Sequence, residues 1–267
     1  MSARAVLVAG FPNSGTTITA MILGQHPQAF ATGELTDFPD KRQFAPYNPC
    51  SCGQQATDCA FWRGVRQDYA EGPRGDARLV NLIARHAGRP VVIDVAHRID
   101  RVEQLVADTD LDLRVIHMVR ERVAVLNSRL RRLYGREIVS ARRPSRVTKV
   151  VKLGRRHEAF LRGMAAIMDG LGERGLVVDY DQLCLDPHQW LGRIGDFLGL
   201  DYSDTAGRMA AGEALPRVPH LLRGNGKLRT AEAIVVRRDA AFQTELSVID
   251  RWLYQAGAGL VRLGVAR

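Results

Sequence analysis

The chain has 267 residues, 46% hydrophobic and 25% charged, a balance that indicates a soluble globular protein with a substantial core. This length suits a single α/β domain spanning 1–267, and no apolar run approaches the roughly 20 residues of a membrane-spanning helix. Four cysteines do not suggest a disulfide scaffold, and the first residues enter a strand without a signal peptide, so we expect a cytoplasmic enzyme of bacterial type.

The net charge is +9, and much of the excess is local. Between Arg129 and Arg162 the chain carries twelve Arg or Lys and only two Glu. Such a region can bind nucleic acid, an acidic membrane surface or a polyanionic small ligand, or it can be a solvated helix face. No zinc finger, aromatic RNA-stacking motif or helix-turn-helix is recognisable. We therefore predict no nucleic-acid partner and keep anion binding and the solvated face as alternatives.

Short apolar segments alternate with helical patterns along the chain. The predicted strands are Ala5–Ala9, Pro90–Asp94, Leu113–Val119 and Gly175–Tyr180, with a further strand before Glu34. The predicted helices are Thr16–Gln25, Ala77–Ala87, Arg101–Ala107, Ala124–Leu133 and Arg155–Leu171. This alternation predicts a three-layer α/β sandwich with a central parallel sheet. Ligands of such sheets bind beyond the carboxyl ends of the strands.

Three segments lack a clear period. Pro39–Trp62 is predicted to be an irregular insertion, Arg136–Lys152 a mobile basic loop, and Leu215–Thr230 a loop before the C-terminal helix.

The first chemical motif is Gly10–Thr17, which follows the first strand directly. A Gly-bounded turn that opens a helix presents backbone N–H groups to an anion. A nucleoside-triphosphate loop would place Lys where this chain has Thr16, so an ordinary ATPase or kinase is not indicated. The alternative is a plain strand–turn–helix connection capped by Ser and Thr.

Two further motifs carry cations and small polar residues. Arg120 ends a strand, and Ser128 follows eight residues later, so both side chains can converge on one phosphate. The loop His220–Arg229 alternates Arg or Lys with Gly and Asn, which lets the backbone approach an anion closely. The alternatives are a capped helix with a surface Arg, and a basic surface turn.

Together these motifs resemble the PAPS-dependent sulfotransferase family. Phe11–Thr17 is similar to its 5′-phosphosulfate loop, usually Tyr-Pro-Lys/Arg-Ser-Gly-Thr-Thr, and Arg120 and Ser128 match its 3′-phosphate motif. The loop from Arg223 looks like the segment that closes over the 3′-phosphate. Three shorter motifs follow in the family's order, namely Tyr180-Asp181-Gln182-Leu183, Asp186-Pro187 and Phe197-Leu198-Gly199-Leu200. The resemblance implies these cofactor-binding residues: Pro12, Asn13, Ser14, Gly15, Thr16, Thr17, Arg120, Ser128, Tyr180, Arg223, Gly224, Asn225 and Arg229.

The resemblance implies a P-loop-like sulfotransferase fold and sulfuryl transfer from 3′-phosphoadenosine-5′-phosphosulfate (PAPS) to a hydroxyl or amine of a small-molecule or glycan acceptor. Adenosine 3′,5′-bisphosphate (PAP) is the product. A general base must accept the acceptor's proton. Glu34, after the second strand, and His97, after the third, are the two candidates by position in the family. A nucleotide-binding relative with little or no transfer, and a P-loop small-molecule kinase, remain alternatives.

Asn13 departs from the family's pattern, which has Lys or Arg at this position. The family's cation contacts the bridging and sulfuryl oxygens, whereas Asn donates a hydrogen bond without charge. Loss of such a contact costs about 2.7–4 kcal/mol in comparable oxyanion sites. We therefore count Asn13 among the catalytic positions. Either another cation compensates, with Arg98 or a cation of the basic loop as candidates, or the transfer is slow.

The cysteines lie at Cys50, Cys52, Cys59 and Cys184. The first three resemble part of a metal site that His26 or His97 would complete, but the usual Cys-x-x-Cys pairs are missing. We assign no metal ligands and interpret the cysteines as structural, with a disulfide and a metal as alternatives. We expect the acceptor pocket to be built from Thr36–Trp62, Arg129–His157 and side chains near His97. The acceptor's identity and a homo-oligomeric assembly are left open.

Overall fold

The computed structural model describes residues 3–36, 38–39, 49–134 and 144–264. Its strands are β1 Arg4–Gly10, β2 Ala29–Gly33, β3 Val91–Ala96, β4 Asp112–Val119, β5 Gly175–Asp179, β6 Leu215–Pro216 and β7 Ala233–Ile234. Its helices are α1 Thr16–Leu23, α2 Ala60–Ala70, α3 Asp76–Ala87, α4 Ile99–Ala107, α5 Arg122–Tyr134, α6 Pro144–Leu171, α7 Tyr180–Leu185, α8 Pro187–Leu198, α9 Ser203–Ala210, α10 Gly226–Thr230, α11 Phe242–Glu245 and α12 Val248–Arg262.

The main sheet has five strands in the order β2-β3-β1-β4-β5, and every pairing is parallel. β1 lies in the middle, so the loop that leaves it at Gly10 is flanked by the ends of β3 and β4. Parallel strands end at the same edge of a sheet. The topology therefore brings together the residues that follow β1, β2, β3 and β4.

Side chains of β1 alternate between the two faces of the sheet, as strand geometry requires. Leu7 packs in one apolar cluster with side chains of α3, α4, α5, α6 and α12. Val6 and Val8 pack in a second cluster with α1, α7, α8 and α9. Helices thus cover both faces, which confirms the predicted three-layer α/β sandwich. In the described part of the chain, no helix combines the length and apolarity that crossing a bilayer requires.

The prediction for the basic segment was wrong at its C-terminal end. Helix α6 begins at Pro144 rather than Arg155, so 144–152 is helical and not part of a loop. The reason is tertiary: Val150 is fully buried in the core, and Arg146 forms a buried ion pair with Asp250 at 2.7 Å. Because this segment carries many charged residues, its sequence shows no clear periodicity of apolar positions. Residues 135–143 lie outside the described residues.

Two other irregular segments contain short elements. Helix α2 begins at Ala60, inside the predicted insertion Pro39–Trp62, most of whose first half lies outside the described residues. The predicted loop Leu215–Thr230 includes β6 and α10. Strand β6 has two residues and is held by antiparallel pairing with β7, a contact between distant residues that local sequence patterns do not show.

Candidate active site

The loop between β1 and α1 is a tight turn with two left-handed residues. Asn13 has φ 78° and Gly15 has φ 91°, while the amide of Ser14 donates to the carbonyl of Phe11 at 3.0 Å. A Cβ atom at Gly15 would lie 2.2 Å from the ring of Tyr180, so only glycine fits there. This turn starts α1 at Thr16, and the loop and the first residues of α1 line a cavity.

Arg120 directly follows β4 and lies beside the loop. Its Nη1 donates to the carbonyl of Asn13 at 3.2 Å and to Ser128 Oγ at 3.4 Å. Its Nε lies 3.7 Å from Asp181 Oδ1, and its guanidinium carbon lies 5.2 Å from the ring centre of Tyr180. The side chain is only 7% exposed. Arg120 is therefore a buried, oriented cation and not the surface arginine of the alternative interpretation.

The loop from Arg223 closes another side of the cavity. A Cβ at Gly224, whose φ is 123°, would lie 3.0 Å from the methyl group of Thr17, so this loop packs on the start of α1. The side chain of Asn225 accepts a hydrogen bond from the amide of Lys227 and caps α10. Arg229 is buried and donates to the carbonyl of Leu222.

The two candidate bases lie side by side. Nε2 of His97 is 3.4 Å from Oε1 of Glu34, and Nδ1 of His97 is 2.7 Å from the carbonyl oxygen of Gly10. A carbonyl oxygen only accepts, so Nδ1 carries a proton. Nε2 then faces a carboxylate, which also requires a proton between them.

The electrostatics of this pair favour the charged forms. Burial opposes ionisation of Glu34, but the hydrogen bond and charge of His97, with the charges of Arg223 and Arg132, outweigh it and lower the pKa of Glu34. Burial also opposes protonation of His97, yet the hydrogen bond and charge of Glu34 and the Gly10 carbonyl raise the pKa of His97. Both shifts favour a carboxylate at Glu34 beside an imidazolium at His97.

Asp94 holds the backbone next to Glu34. Its Oδ1 accepts hydrogen bonds from the amide of Leu35 at 2.9 Å and from that of Val95 at 2.8 Å. Burial raises the pKa of Asp94 to about 7, although the charge of Arg101 opposes the shift. Asp94 thus ties the segment after β2 to β3 and positions Glu34 against His97.

One cavity of about 640 Å³ is bordered by the donor loop, the Arg223 loop, Arg120 and the two candidate bases. Every predicted site residue except Ser14 lines it, namely Pro12, Asn13, Gly15, Thr16, Thr17, Glu34, His97, Arg120, Ser128, Tyr180, Arg223, Gly224, Asn225 and Arg229. Ser14 belongs to the same loop but is only 1% exposed and is not among the residues that line the cavity. The structure brings the predicted residues together, and their roles in binding and catalysis stay predictions.

Two further cations line the cavity, Arg129 and Arg132 of α5. They belong to the segment Arg129–His157, which was predicted to help build the acceptor pocket, but they were not named individually as site residues. Arg129 follows Ser128, and Arg132 lies one helical turn beyond Ser128, so the helical period was the available signal. Burial and the like charges of Arg132 and Arg156 lower the pKa of Arg129. Cations that repel one another beside a cavity favour an anionic ligand.

The expectation that Arg98 compensates for Asn13 was wrong. Arg98 is 62% exposed and forms an ion pair with Asp100, and within the described ranges it does not line the cavity. Its local partner two residues away holds it at the surface. Arg129 and Arg132 of α5, which lie outside the predicted basic loop, line the cavity. The segment Thr36–Trp62 was also predicted to help build the acceptor pocket, but none of its described residues lines this cavity.

The histidine that lies beside the cysteines is neither of the two that the sequence suggested, His26 and His97. All four are free thiols, and the histidine beside Cys50, Cys52 and Cys59 is His220. His97 instead lies in the cavity wall.

The donors around the cavity fit an anionic nucleotide. The hydroxyls of Thr16, Thr17 and Ser128 can donate hydrogen bonds to phosphate or sulfate oxygens. The guanidinium groups of the cavity arginines only donate and carry positive charge, so they attract the same oxygens. The glycines at 15 and 224 allow the backbone to approach such a ligand without a Cβ.

Comparison with known proteins identifies the class. The sequence model of the Sulfotransferase family matches residues 5–204. The fold matches the sulfotransferase domain from the curacin biosynthetic pathway with a TM-score of 0.62 and 15% identity, covering 98% of both chains. No curated protein matches this sequence as a relative.

Two further solved structures share the fold. The sulfotransferase domain of the Synechococcus PCC 7002 olefin synthase matches with a TM-score of 0.53 and 17% identity, over 96% of this chain and 95% of that one. Mouse sulfotransferase SULT7A1, solved with PAP, matches with a TM-score of 0.51 and 13% identity, over 95% and 82%. The fold and site define a sulfotransferase-type α/β protein. The chain belongs to the sulfotransferase family.

Proposed function

We propose that this sulfotransferase uses PAPS as donor and transfers its sulfuryl group to a hydroxyl or amine of a small-molecule or glycan acceptor. The observation that carries the proposal is the convergence of the Gly10–Thr17 loop, Arg120 with Ser128, and the Arg223 loop on one cavity that also contains the Glu34–His97 pair. A phosphate cradle alone suits many nucleotides. A second cationic site suits a donor with two separate phosphates. A carboxylate in the same cavity suits a base that accepts the proton of an acceptor.

The two ends of the donor would be held by different elements. Backbone amides at the start of α1, with Thr16 and Thr17, would hold the 5′-phosphosulfate, because a helix N-terminus favours anions. Arg120, Ser128 and the Arg223 loop would hold the 3′-phosphate. When bound, PAPS supplies the activated sulfuryl group, and the protein supplies position and charge.

Within the pair, Glu34 is the proposed general base. The raised pKa of His97 favours its imidazolium form, which has no lone pair to accept a proton, and the lowered pKa of Glu34 favours the carboxylate, which does. His97 then acts as a positioning residue that keeps Glu34 ionised and oriented through the 3.4 Å contact. The bond from His97 to Gly10 at 2.7 Å ties this pair to the start of the donor loop.

The charge that develops on the transferring and leaving oxygens needs compensation, because Asn13 carries none. Arg129 and Arg132 line the same cavity and supply positive charge there. Preorganised cations in a partly enclosed site stabilise developing negative charge more strongly than they would in water. We propose that these two arginines replace the cation usual at position 13.

The test uses the full chain with ³⁵S-labelled PAPS and a panel of alcohols, phenols, amines and oligosaccharides. We expect label in at least one acceptor, equal formation of PAP, and loss of both with Glu34→Gln. Tight PAP binding with no labelled acceptor would favour the non-catalytic relative. Phosphate transfer from ATP to an acceptor would favour the kinase.

A further inference from the structure

A compact group of metal-ligating side chains lies outside the active-site cavity. Their ligand atoms all lie within 4.8 Å of one another. We call this group the cysteine–histidine cluster, and its members are Cys50, Cys52, Cys59 and His220.

The spacing inside the cluster matches that around a tetrahedral zinc ion. With Zn–S bonds of about 2.3 Å and a Zn–N bond of about 2.0–2.1 Å, two sulfurs lie about 3.8 Å apart, and a sulfur and a nitrogen about 3.6 Å apart. Here Cys52 Sγ and Cys59 Sγ are 3.8 Å apart. His220 Nδ1 lies 3.3 Å from Cys59 Sγ and 3.9 Å from Cys50 Sγ.

The backbone around the first two cysteines forms a turn that points them to one place. The amide of Gly53 donates to the carbonyl of Cys50 at 3.0 Å, and the amide of Cys50 donates to the carbonyl of Gln54 at 2.8 Å. Gly53 has φ 94°, a conformation that glycine adopts readily. The amide of Cys59 donates to the carbonyl of Gln55 at 3.0 Å and brings the third sulfur back to this turn.

His220 is fixed from both sides. Its ring stacks on Phe61, with ring centres 4.9 Å apart and planes 13° apart, and its carbonyl accepts a hydrogen bond from Trp62 Nε1 at 2.8 Å. Its φ of 63° is unusual for a residue other than glycine. A strained backbone that turns Nδ1 toward three sulfurs is the kind of cost that a bound ligand offsets.

The cluster is partly buried. Cys50 is 1% exposed and Cys59 is 0% exposed, while Cys52 and His220 are half-buried. Four protein ligands of the Cys₃His type, with no position for a substrate, define structural zinc sites, and soft thiolates with imidazole select zinc over hard cations. We propose that the cysteine–histidine cluster binds one structural Zn²⁺.

The zinc site would hold the Arg223 loop in place. Next to the cluster, Ser51 Oγ accepts from the amide of Leu221 at 2.7 Å and donates to the carbonyl of Val218 at 2.8 Å. The amide of Leu222 donates to the carbonyl of Thr32 at 2.8 Å. The metal thus clamps residues 50–59 onto 218–222, immediately before Arg223. It acts on the active site through the chain and does not enter it.

The test measures metal in the full chain, produced with added zinc and purified without immobilised-metal resin. Elemental analysis should find about one zinc per chain. Cys52→Ser and His220→Asn should lose most of it; Asn tolerates positive φ, so the second variant removes the ligand without adding backbone strain. Cys184→Ser and His26→Asn are the matched controls and should keep it.

Two further readouts do not depend on the variants folding or on nucleotide binding. Co²⁺ exchanged into the wild-type chain should give the visible bands and sulfur-to-metal charge transfer of a tetrahedral thiolate site. Removing zinc with a chelator should speed hydrogen exchange at the amides of Leu221 and Leu222 and lower the thermal midpoint.

Three results would overturn the proposal. A wild-type chain without zinc that also gives no cobalt spectrum has no such site. A mass deficit of two hydrogens with unreactive thiols would show a disulfide instead. Unchanged exchange at Leu221 and Leu222 after zinc removal would overturn the clamp on the loop.

Discussion

His97 Nε2 lies 3.4 Å from Glu34 Oε1, and His97 Nδ1 lies 2.7 Å from the Gly10 carbonyl. Two residues that sequence reasoning treats as competitors for one role therefore form a single unit. The unit connects the segment after β2 with the loop after β1, and thus connects the proposed base with the proposed donor site.

Replacing Glu34 by Gln should abolish most of the turnover while leaving donor binding intact. Removal of a general base costs about 10²–10⁴-fold in rate. The isosteric amide keeps the contact with His97 but cannot accept the proton. The measurement is kcat beside the Kd for PAP.

His97→Gln is the matched variant for the positioning role. It should lower kcat less than Glu34→Gln and displace the acidic limb of the rate profile to higher pH, because Glu34 loses the partner that lowers its pKa. Full turnover in Glu34→Gln with none in His97→Gln would assign the base to His97.

The rate should depend on both charged groups. Glu34 must be ionised, so activity falls as pH drops through its lowered pKa, below the ordinary value of 4.5. His97 must stay protonated, so activity falls as pH rises through its raised pKa, above 6.5. The pair also contributes to the free energy of unfolding. The contribution of His97 is fully present below pH 6.5 and is lost as pH rises through its raised pKa in the folded state. The contribution of Glu34 is fully present above pH 4.5 and is lost as pH falls through its lowered pKa in the folded state.

NMR titration of His97 tests this pH dependence directly. The pKa of His97 should lie above 6.5 in the wild-type chain and fall in Glu34→Gln, which removes the charge that raises it. A pKa that Glu34→Gln leaves unchanged would show that the two groups are not coupled.

Replacing Arg120 by Ala should weaken PAP selectively. A charge-assisted hydrogen bond contributes about 2 kcal/mol, or roughly 30-fold in Kd. AMP, which lacks the 3′-phosphate, should bind the variant and the wild type with similar affinity. Calorimetry with both ligands makes the comparison, and Ser128→Ala should show a smaller loss of the same selectivity. Equal losses for PAP and AMP would place the 3′-phosphate elsewhere.

Asn13→Lys should keep or raise kcat, because it restores a cation at the start of the donor loop. Asn13 has φ 78°, which Asn tolerates better than Lys, so the variant should lose about 1 kcal/mol of folding stability. Kinetics and thermal unfolding measure the two effects separately. Complete loss of activity in a folded variant would show that the Asn13 amide has a specific role.

The sequence predicts those parts of the candidate site that depend on local sequence patterns. The strand–loop–helix at Gly10–Thr17 and the eight-residue interval between Arg120 and Ser128 are set by the ends of β1 and β4. Parallel strands bring these ends together, so the position of the cavity follows from the alternation of strands and helices. The polar residues after β2 and β3 are predictable for the same reason.

The features that the sequence does not reveal depend on contacts between distant residues. His220 approaches Cys59 across 161 positions, so spacing alone pointed to the wrong histidines. Helix α6 starts earlier than predicted because Arg146 meets Asp250 across 104 positions. Arg98 was expected in the site, but its ion pair with Asp100 holds it at the surface.

The most direct test of the central claim is nucleotide selectivity, measured by calorimetric titration of the wild-type chain with PAP and with ATP. We expect PAP to bind at least about tenfold more tightly than ATP, because two separate cationic sites match its two phosphates. PAP should also raise the thermal midpoint. Tighter binding of ATP, with no stabilisation by PAP, would contradict the proposed PAPS site.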